Sequence, residues 1–574
     1  MMETVASEIS QISPQYKEGR VLLLDDERLV RFTISAWLNK SGYEVVVTAS
    51  PEEALTALSK TRFEAVISDV VMTPMDGFMF RTALRQFNAR IPILFLTAQI
   101  NDASNNLMLR ITEDTYSFYI PKSSRRDYLL SRLRMAIRAY RSDKEVLSLK
   151  AEMAHNLHLA SLVQRAMLPR WANYRSYGFY STFWRSHSVV SGDLFEYYPL
   201  TEHSSFMVFG DISGHGVPAA LAMTAVQSFL KQLAILGDGQ ARYPHLICQE
   251  IDRFIHENLR DIAYMPGIVM YLNLKENIVR YCNAGSIEPL YFSRTDGQYV
   301  NVNPENRGAM PMGLVEGAQY SESDVVEVKV TADSILCMLS DGFVDLSQDE
   351  AGEERVPQEL FQQLLSELVQ AANGTSDIGS IPYRLFGLLK DLGYNYPQDD
   401  MSLVLIGHTA RHSGRFLSEV GVRRAQSVDS VVQRAGAWVK EHFANDEFQV
   451  KVELLLNEHL ENIYRHGLDD YGRRHEVIVL EMRQAGGGLE VVTWDRGTSW
   501  VVDSSADASA TEAHLDERNR MLAGNGRGLD ILRKVAETIS YETIEGLNRT
   551  TFFLKPETLV AAEIPSLEDV LSSL

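Results

Sequence analysis

Residues 209–218 read FGDISGHGVP, and the chain is arranged around them. The apolar alternation of Phe206, Val208 and Phe209 predicts a buried strand running into this stretch. The segment AALAMTAVQSFL that follows predicts a helix. Asp211 therefore stands at the exit of a strand, in a loop whose glycines let the backbone come close to a bound ion. A carboxylate beside a free backbone carbonyl is a hard-oxygen ligand set suited to Mg²⁺ or Mn²⁺. Alone, an Asp beside a Gly at a strand end is an ordinary turn. The metal reading rests on other acids.

Those acids recur in four further patches. SVVSGDLFEYY places Asp193 on the preceding strand, and YCNAGSIEPLYF reads as strand–turn–strand. SILCMLSDGFVDL puts Asp341 between a buried strand and a glycine, and PQDDMSLVLIG puts Asp399 and Asp400 just before a final strand. Together they can build a two-metal cluster in a β-sandwich, where a water is activated for in-line attack on phosphorus. No Cys or Ser nucleophile motif competes with that chemistry.

From the entry pattern LVQRAMLP to about residue 407, these motifs resemble the bacterial PP2C-type serine/threonine phosphatases of the SpoIIE class. The resemblance implies Asp193, Asp211, Asp341 and Asp399 as acidic ligands of two Mg²⁺ or Mn²⁺ ions, with the backbone carbonyl of Ile212 as a further ligand. Ser286 stands where the family often has His, and Glu196 where a second Asp is common. His215 is read as a loop-shaping residue, because hard ions prefer oxygen.

Toward the N-terminus, VLLLD, FEAVISD, IPILFLT and SFYIPK read as buried strands between amphipathic helices, the pattern of a doubly wound α/β domain. Ligands of such sheets gather at the carboxyl ends of the strands. Asp25, Asp26, Asp69, Thr97 and Lys122 all fall there, so acids and one cation converge on a site able to hold Mg²⁺ and accept a phosphoryl group on Asp69. With VVMTPMDG after Asp69, the segment resembles a response-regulator receiver domain. That likeness implies metal held by Asp25 and Asp26 beside the phosphoacceptor Asp69. It also implies phosphoryl contacts from Thr97 and Lys122 and a switch aromatic at Tyr119. Ser123 follows the lysine where the family usually has Pro.

Between about residues 125 and 167 there is no Gly or Pro. Leu130, Leu133, Ile137 and Tyr140 follow helical spacing, and Val146, Leu149, Met153, Leu157 and Ala160 resume it in a shifted register. One long helix is expected. It would pack along its own domains or pair in a parallel dimeric coiled coil.

Toward the C-terminus, VELLLNEHLENIYRHG spaces Glu458, Asn462 and His466 by four along one helix face. LEVVTWD then ends a strand at Asp495, followed by Gly497, and Gly524, Gly526 and Gly528 run into a further helix. Glycines opening a helix present N–H groups to phosphates at its positive end. Residues 416–554 resemble the GHKL ATPases, most closely the anti-sigma-factor serine kinases. The likeness implies ATP held by Asp495 at the adenine amino group and by Gly497, Gly524, Gly526 and Gly528 along the pocket and lid. It further implies Mg²⁺ on Asn462 and a general base at Glu458. A histidine kinase would need a phosphoacceptor His upstream, and His412 in RHSGR has no acidic neighbour following it.

The chain of 574 residues carries 55 basic and 76 acidic side chains, a net −21, which argues against non-specific binding to nucleic acid or an anionic membrane. Cys248, Cys282 and Cys337 are too widely spaced for a zinc site or a disulfide framework. No secretory signal or bilayer-length apolar run is read, so a cytoplasmic location is expected. The expected domains are a receiver over 18–127, a connector over 128–167, a PP2C-type phosphatase over 168–408 and a GHKL-like domain over 415–556. An acidic tail fills 557–574. This order resembles the three-domain response regulators of partner-switching systems. There an upstream histidine kinase or phosphotransfer protein supplies phosphate, and the phosphatase and kinase act oppositely on a STAS-type anti-sigma-factor antagonist. In the alternative, the last domain is a non-catalytic module that sequesters a sigma or anti-sigma factor.

Overall fold

The computed structural model describes residues 18–98, 114–175, 178–214, 216–234, 242–260, 262–295, 297–331, 333–372, 374–408, 415–421, 426–468, 476–498 and 527–556. Two compact units divide the chain, Met1–Asn156 and Leu157–Leu574.

In the first unit β1 (Gly19–Leu24), α1 (Arg28–Lys40), β2 (Tyr43–Thr48), α2 (Pro51–Lys60), β3 (Ala65–Asp69), α3 (Gly77–Phe87), β4 (Ile93–Thr97) and β5 (Ser117–Pro121) alternate. The strands form one parallel sheet in the order β2-β1-β3-β4-β5. Strands β3 and β4 are buried throughout, which is why they read as unbroken apolar runs. Strand β2 is an addition to the four strands expected. At the sheet edge it is partly exposed, and its burial follows neither a continuous block nor a clean alternation.

The long helix is α4 (Arg126–Met167). Its first stripe, with Leu130, Leu133 and Ile137, packs into the receiver core beside Val21, Leu23, Ile67 and Leu94. Val146, Leu149 and Met153 in the second stripe are exposed. The shift of register read from the sequence thus marks the point where the helix stops serving the receiver core.

The second unit opens with β6 (Ala172–Tyr174), β7 (Gly178–Arg185), β8 (Asp193–Pro199), β9 (Ser204–Asp211), α5 (Val217–Leu233) and α6 (Pro244–Asn258). Then come β10 (Gly267–Asn273), β11 (Ile278–Ala284), β12 (Leu290–Ser293), β13 (Tyr299–Val300), β14 (Val325–Lys329), β15 (Ser334–Leu339), α7 (Gln358–Ala371), α8 (Ile381–Asp391) and β16 (Met401–His408). The strands make two sheets, ordered β14-β11-β10-β9-β8 and β13-β12-β15-β16-β7-β6. Their inner faces meet through Tyr180, Phe195, Phe209, Met270, Met338 and Val404. Helices α5 and α6 cover the outer face of the first sheet through Met223, Val226 and Ile251. This is a β-sandwich flanked by helices, as expected.

A third layer system follows: β17 (Arg415–Gly421), α9 (Gln426–Phe443), α10 (Asp446–Asn462), β18 (Val477–Ala485), β19 (Gly488–Asp495), α11 (Arg527–Val535), β20 (Thr538–Ile544) and β21 (Leu547–Leu554). Its antiparallel sheet runs β17-β18-β19-β21-β20. Strand alternation sends Ile478, Leu480 and Val491 toward the three helices. Val477, Val479, Val492 and Trp494 point the other way, into one apolar core shared with Trp171, Tyr383 and Leu385 of the sandwich domain. The Trp171 indole donates to the Val477 carbonyl at 2.9 Å. Buried Glu481 accepts from the Ser376 amide at 3.0 Å and pairs with Arg415 at 3.3 Å. The two domains of this unit therefore share a hydrophobic core crossed by hydrogen bonds and ion pairs.

Candidate functional site

In the receiver, Asp25 ends the run of β1, Asp69 ends β3, and Lys122 follows β5. Lys122 Nζ lies 2.7 Å from Asp69 Oδ2, 2.8 Å from Glu27 Oε1 and 3.3 Å from Asp25 Oδ2. Burial alone would lower the Lys122 ammonium, but hydrogen bonds to Asp69 and Glu27, with the Asp25 charge, hold it above its ordinary value. Burial in turn pushes the Asp25 carboxyl up, against the Glu27 amide that donates to it. Asp25, Glu27 and Asp69 offer oxygens within 4.8 Å of one another. Exposed Asp26 is not in that group, and Glu27, which the sequence did not single out, is. Three converging carboxylates are the hard-oxygen set that Mg²⁺ takes. Thr97 is buried, its carbonyl accepting the Lys122 amide at 2.7 Å, and Tyr119 is half-buried on β5.

In the sandwich, Asp193 opens β8 and Asp211 closes β9, and the two are direct cross-strand partners. Gly192 must be glycine: a Cβ there would lie 2.9 Å from the Ile212 carbonyl oxygen and 3.1 Å from Asp211 Oδ1. The Ile212 carbonyl thus faces the same small space as Asp211 Oδ1. Asp341 begins a one-turn helix after β15, and a Cβ on the next residue, Gly342, would run into the carbonyls of Asp399 and Asp400. Burial raises the Asp193 carboxyl well above its ordinary range, aided by Asp211. Burial, then Asp341, Asp399 and Asp400, push Asp211 up to about 8. Asp341 is raised by burial and by Asp399. Asp193, only 2 % exposed, keeps its Oδ2 without a hydrogen-bond partner. Crowded carboxylates with an orphaned buried oxygen fit divalent cations, whose charge the site lacks by itself.

Two residues have supporting roles that the sequence does not assign. Asp400 is buried and accepts from the amides of His187 at 2.7 Å and Gly192 at 2.8 Å, so it ties down the loop ahead of Asp193. Half-exposed Asp399 accepts the Asp400 amide on Oδ1 at 2.8 Å. Gln164 of α4 donates to the Ser191 carbonyl at 2.6 Å and accepts the Ser191 amide at 3.0 Å. Glu196, one of the departures from the family pattern, is held by Gln227, which also donates to the Met167 carbonyl at 2.7 Å. At the other, Ser286 sits in a turn where its amide donates to Asn283 Oδ1 at 2.9 Å. His215 lies outside the described residues.

In the third domain, Glu458 and Asn462 are half-buried on α10, four residues apart on one face. His466 leaves that face: residues Ile463–Gly467 form a π-helical turn, whose wider winding breaks the spacing of four. Asp495 ends β19, buried, with Oδ1 accepting the Gly497 amide at 2.8 Å and the Asn548 amide group at 3.0 Å. Burial pushes Asp495 up to about 6 against those two donors. Asn548, its register partner on β21, also donates to the Gly497 carbonyl at 2.8 Å. Gly528 is the second residue of α11, whereas Gly524 and Gly526 lie outside the described residues.

A parallel-sheet acid pocket, a sandwich with clustered carboxylates and an antiparallel ATPase-like sheet define a multidomain phosphorylation-signalling protein. Residues 21–134 match the response regulator receiver domain, 201–409 the Stage II sporulation protein E (SpoIIE) family and 422–553 the histidine kinase-like ATPase domain. The chain is thus a response regulator carrying a receiver, a SpoIIE-type PP2C domain and a GHKL-like ATPase domain in that order, the architecture of partner-switching regulators. Response regulator MprA of Mycobacterium leprae is 32 % identical over 124 residues, 22 % of this chain and 53 % of that protein. Phosphoserine phosphatase RsbP of Bacillus subtilis is 25 % identical over 169 residues, 29 % of this chain and 39 % of that protein. The matches span about half the length of the first relative and less of the second. A crystal structure of the RsbU and RsbW domains of a Mycobacterium tuberculosis protein is 18 % identical with a TM-score of 0.35, covering 66 % of this chain and 94 % of that one. Among the described residues, no helix is long and apolar enough to cross a membrane.

Proposed function

We propose that this chain is a phosphorylation-controlled protein-serine phosphatase whose substrate is a phosphoserine STAS-type anti-sigma-factor antagonist. The observation that supports the reading is the cross-strand pairing of Asp193 with Asp211, with Asp341, Asp399 and Asp400 close enough to raise the Asp211 carboxyl. Bound Mg²⁺ or Mn²⁺ supplies charge neutralisation and an activated water there. The chain's own part is to hold the ligand oxygens rigidly: Asp400 fixes the loop at Gly192, and Gly192 leaves room for the Ile212 carbonyl. In the receiver, Lys122 holds Asp69 in place for transfer from an upstream phosphodonor and balances charge on the phosphorylated form.

The ATPase-like domain acts in the opposite direction, as a serine kinase with ATP-Mg on Asp495, Asn462 and the Gly528 helix and Glu458 as base. The proposed domain bounds remain 18–127, 128–167, 168–408 and 415–556. The exposed Val146, Leu149 and Met153 stripe pairs two copies in a parallel coiled coil, and sedimentation velocity of L149E against native protein tests it. The functional test measures phosphate release from the phosphoserine antagonist by native protein, D69A and D211A. Loss in D211A and a changed rate in D69A are expected; equal rates in all three overturn the reading.

A further inference from the structure

The rim of the sandwich-domain acid cluster carries an apolar surface that the chemistry does not use. Val217 and Leu221 stand one turn apart on α5, the helix that follows the Asp211 loop. Ile262 and Tyr264 lie just ahead of β10, and Met310 and Leu314 in the segment before β14. All six are exposed, Leu221 by 66 %, Ile262 by 60 % and Met310 by 51 %. Backbone bonds join them to the site. Ser213 N donates to the Tyr264 carbonyl at 2.9 Å, and Tyr264 N donates to Ser213 Oγ at 2.9 Å. Next door, Met265 and Met312 exchange amide–carbonyl bonds of 2.7 and 3.0 Å. Pro311 in that second segment packs against the Gly285 turn beside Ser286.

Apolar side chains scattered singly over a surface need no explanation, but six on segments tied together by backbone bonds beside the acid cluster point to an interaction surface. Charge narrows the occupant. The centre of the site is acidic at Asp211, Asp341 and Asp399, and the chain's net charge is −21. Bound divalent cations offset those carboxylates and draw the phosphoester itself, but the acidic chain offers an acidic protein no further long-range attraction, so the rest of its affinity has to come from short-range apolar contact. The α5 residues and Tyr264 flank the Asp211 loop, where a molecule whose phosphoester reaches the carboxylates can touch them.

We infer that Val217, Leu221, Ile262, Tyr264, Met310 and Leu314 form the docking surface for the phosphoserine-bearing protein substrate, which presents apolar side chains beside its phosphoserine. The inference rests on the phosphatase reading above and adds where the substrate is held. The surface raises affinity for a folded protein and is idle toward a small phosphoester.

The experiment uses the full chain with Mn²⁺ and two probes: a serine-phosphorylated STAS-domain protein from the same genome, and p-nitrophenyl phosphate. L221E and I262E are expected to lower kcat/KM for the protein about tenfold or more, mainly through KM, while p-nitrophenyl phosphate hydrolysis stays within about twofold. The milder L221A gives an intermediate loss and covers the case in which a glutamate variant fails to fold. D211N abolishes both reactions. Equal loss on the two probes, or no loss on the protein, overturns the docking surface. A change in sedimentation with unchanged kinetics assigns the patch to a second copy of the chain and also overturns it. If D211N still hydrolyses p-nitrophenyl phosphate, the phosphatase reading itself fails, whatever the patch variants do.

Discussion

At the scale of single residues, Asp495 shows what sequence can and cannot reveal. A strand ending in Asp with a Gly two places on is a legible signal. Asn548, which orients that carboxylate, lies 53 positions away and is indistinguishable in sequence from any polar strand residue. It donates to Asp495 Oδ1 and the Gly497 carbonyl, while its own oxygen accepts from Tyr541 and Thr543, both at 3.0 Å. N548A is expected to weaken ATP binding about tenfold, and calorimetry on the full chain checks it. Asp400 was read only as one of the recurring acids and Glu27 not at all, for a related reason: each stands beside another acid, and only the fold shows which carboxylate faces which partner.

His459 belongs to the same scale. It is fully enclosed, bonded to Thr493 Oγ1 at 2.7 Å, and burial lowers it to about 3. The folded chain keeps it neutral, whereas the unfolded chain protonates it below its ordinary value of 6.5. The unfolded state therefore gains protons as pH falls, and stability is lost from about 6.5 downward to about 3, by about 1.4 kcal/mol per pH unit from this group. Urea midpoints at pH 7.5 and pH 5 should move less in H459Q than in native protein.

Among the elements, α4 was the most legible and also the most incompletely read. Its length follows from a glycine- and proline-free run, and its two stripes follow from apolar spacing. Gln164 enters the sequence reading only as part of the pattern LVQRAMLP, yet its amide spans both the N–H and the C=O of Ser191, whose hydroxyl accepts the Asp193 amide at 3.1 Å. The helix end thereby grips the loop that carries a proposed ligand. Q164L is expected to lower Mn²⁺ affinity and phosphatase kcat/KM by about 10–100-fold while leaving the receiver's acid group intact. Metal titration followed by phosphate release checks it. Helix α10 carries the opposite lesson. Its spacing of four holds for Glu458 and Asn462 but fails at the π-helical turn, a change of winding that side-chain periodicity does not encode.

Across the whole molecule, the three-part order and each fold class were readable because each domain has its own strand pattern. The buried runs of the parallel sheet, the alternating strands of the sandwich and the helix–strand–glycine order of the ATPase-like part are distinct signals. The interface inside the second unit was not readable. Val477, Val479, Val492 and Trp494 look like ordinary strand residues, and only the structure shows that they face Trp171 and Tyr383 rather than their own helices. Arg549 on β21 pairs with Asp377 at 3.3 Å across that boundary, one residue from Asn548. The ATPase-like sheet and the phosphatase sandwich are therefore built against each other, and the two candidate chemistries share a wall.

The central claim is that separate strand-end carboxylates gather around paired cations in the sandwich. Low-temperature electron paramagnetic resonance of the Mn²⁺-loaded full chain tests it most directly. The account predicts the signal of an exchange-coupled Mn²⁺ pair in native protein and in D69N, and its loss in D193N and D211N. Isolated Mn²⁺ signals alone in the native protein, or a coupled pair that survives D211N, would contradict it.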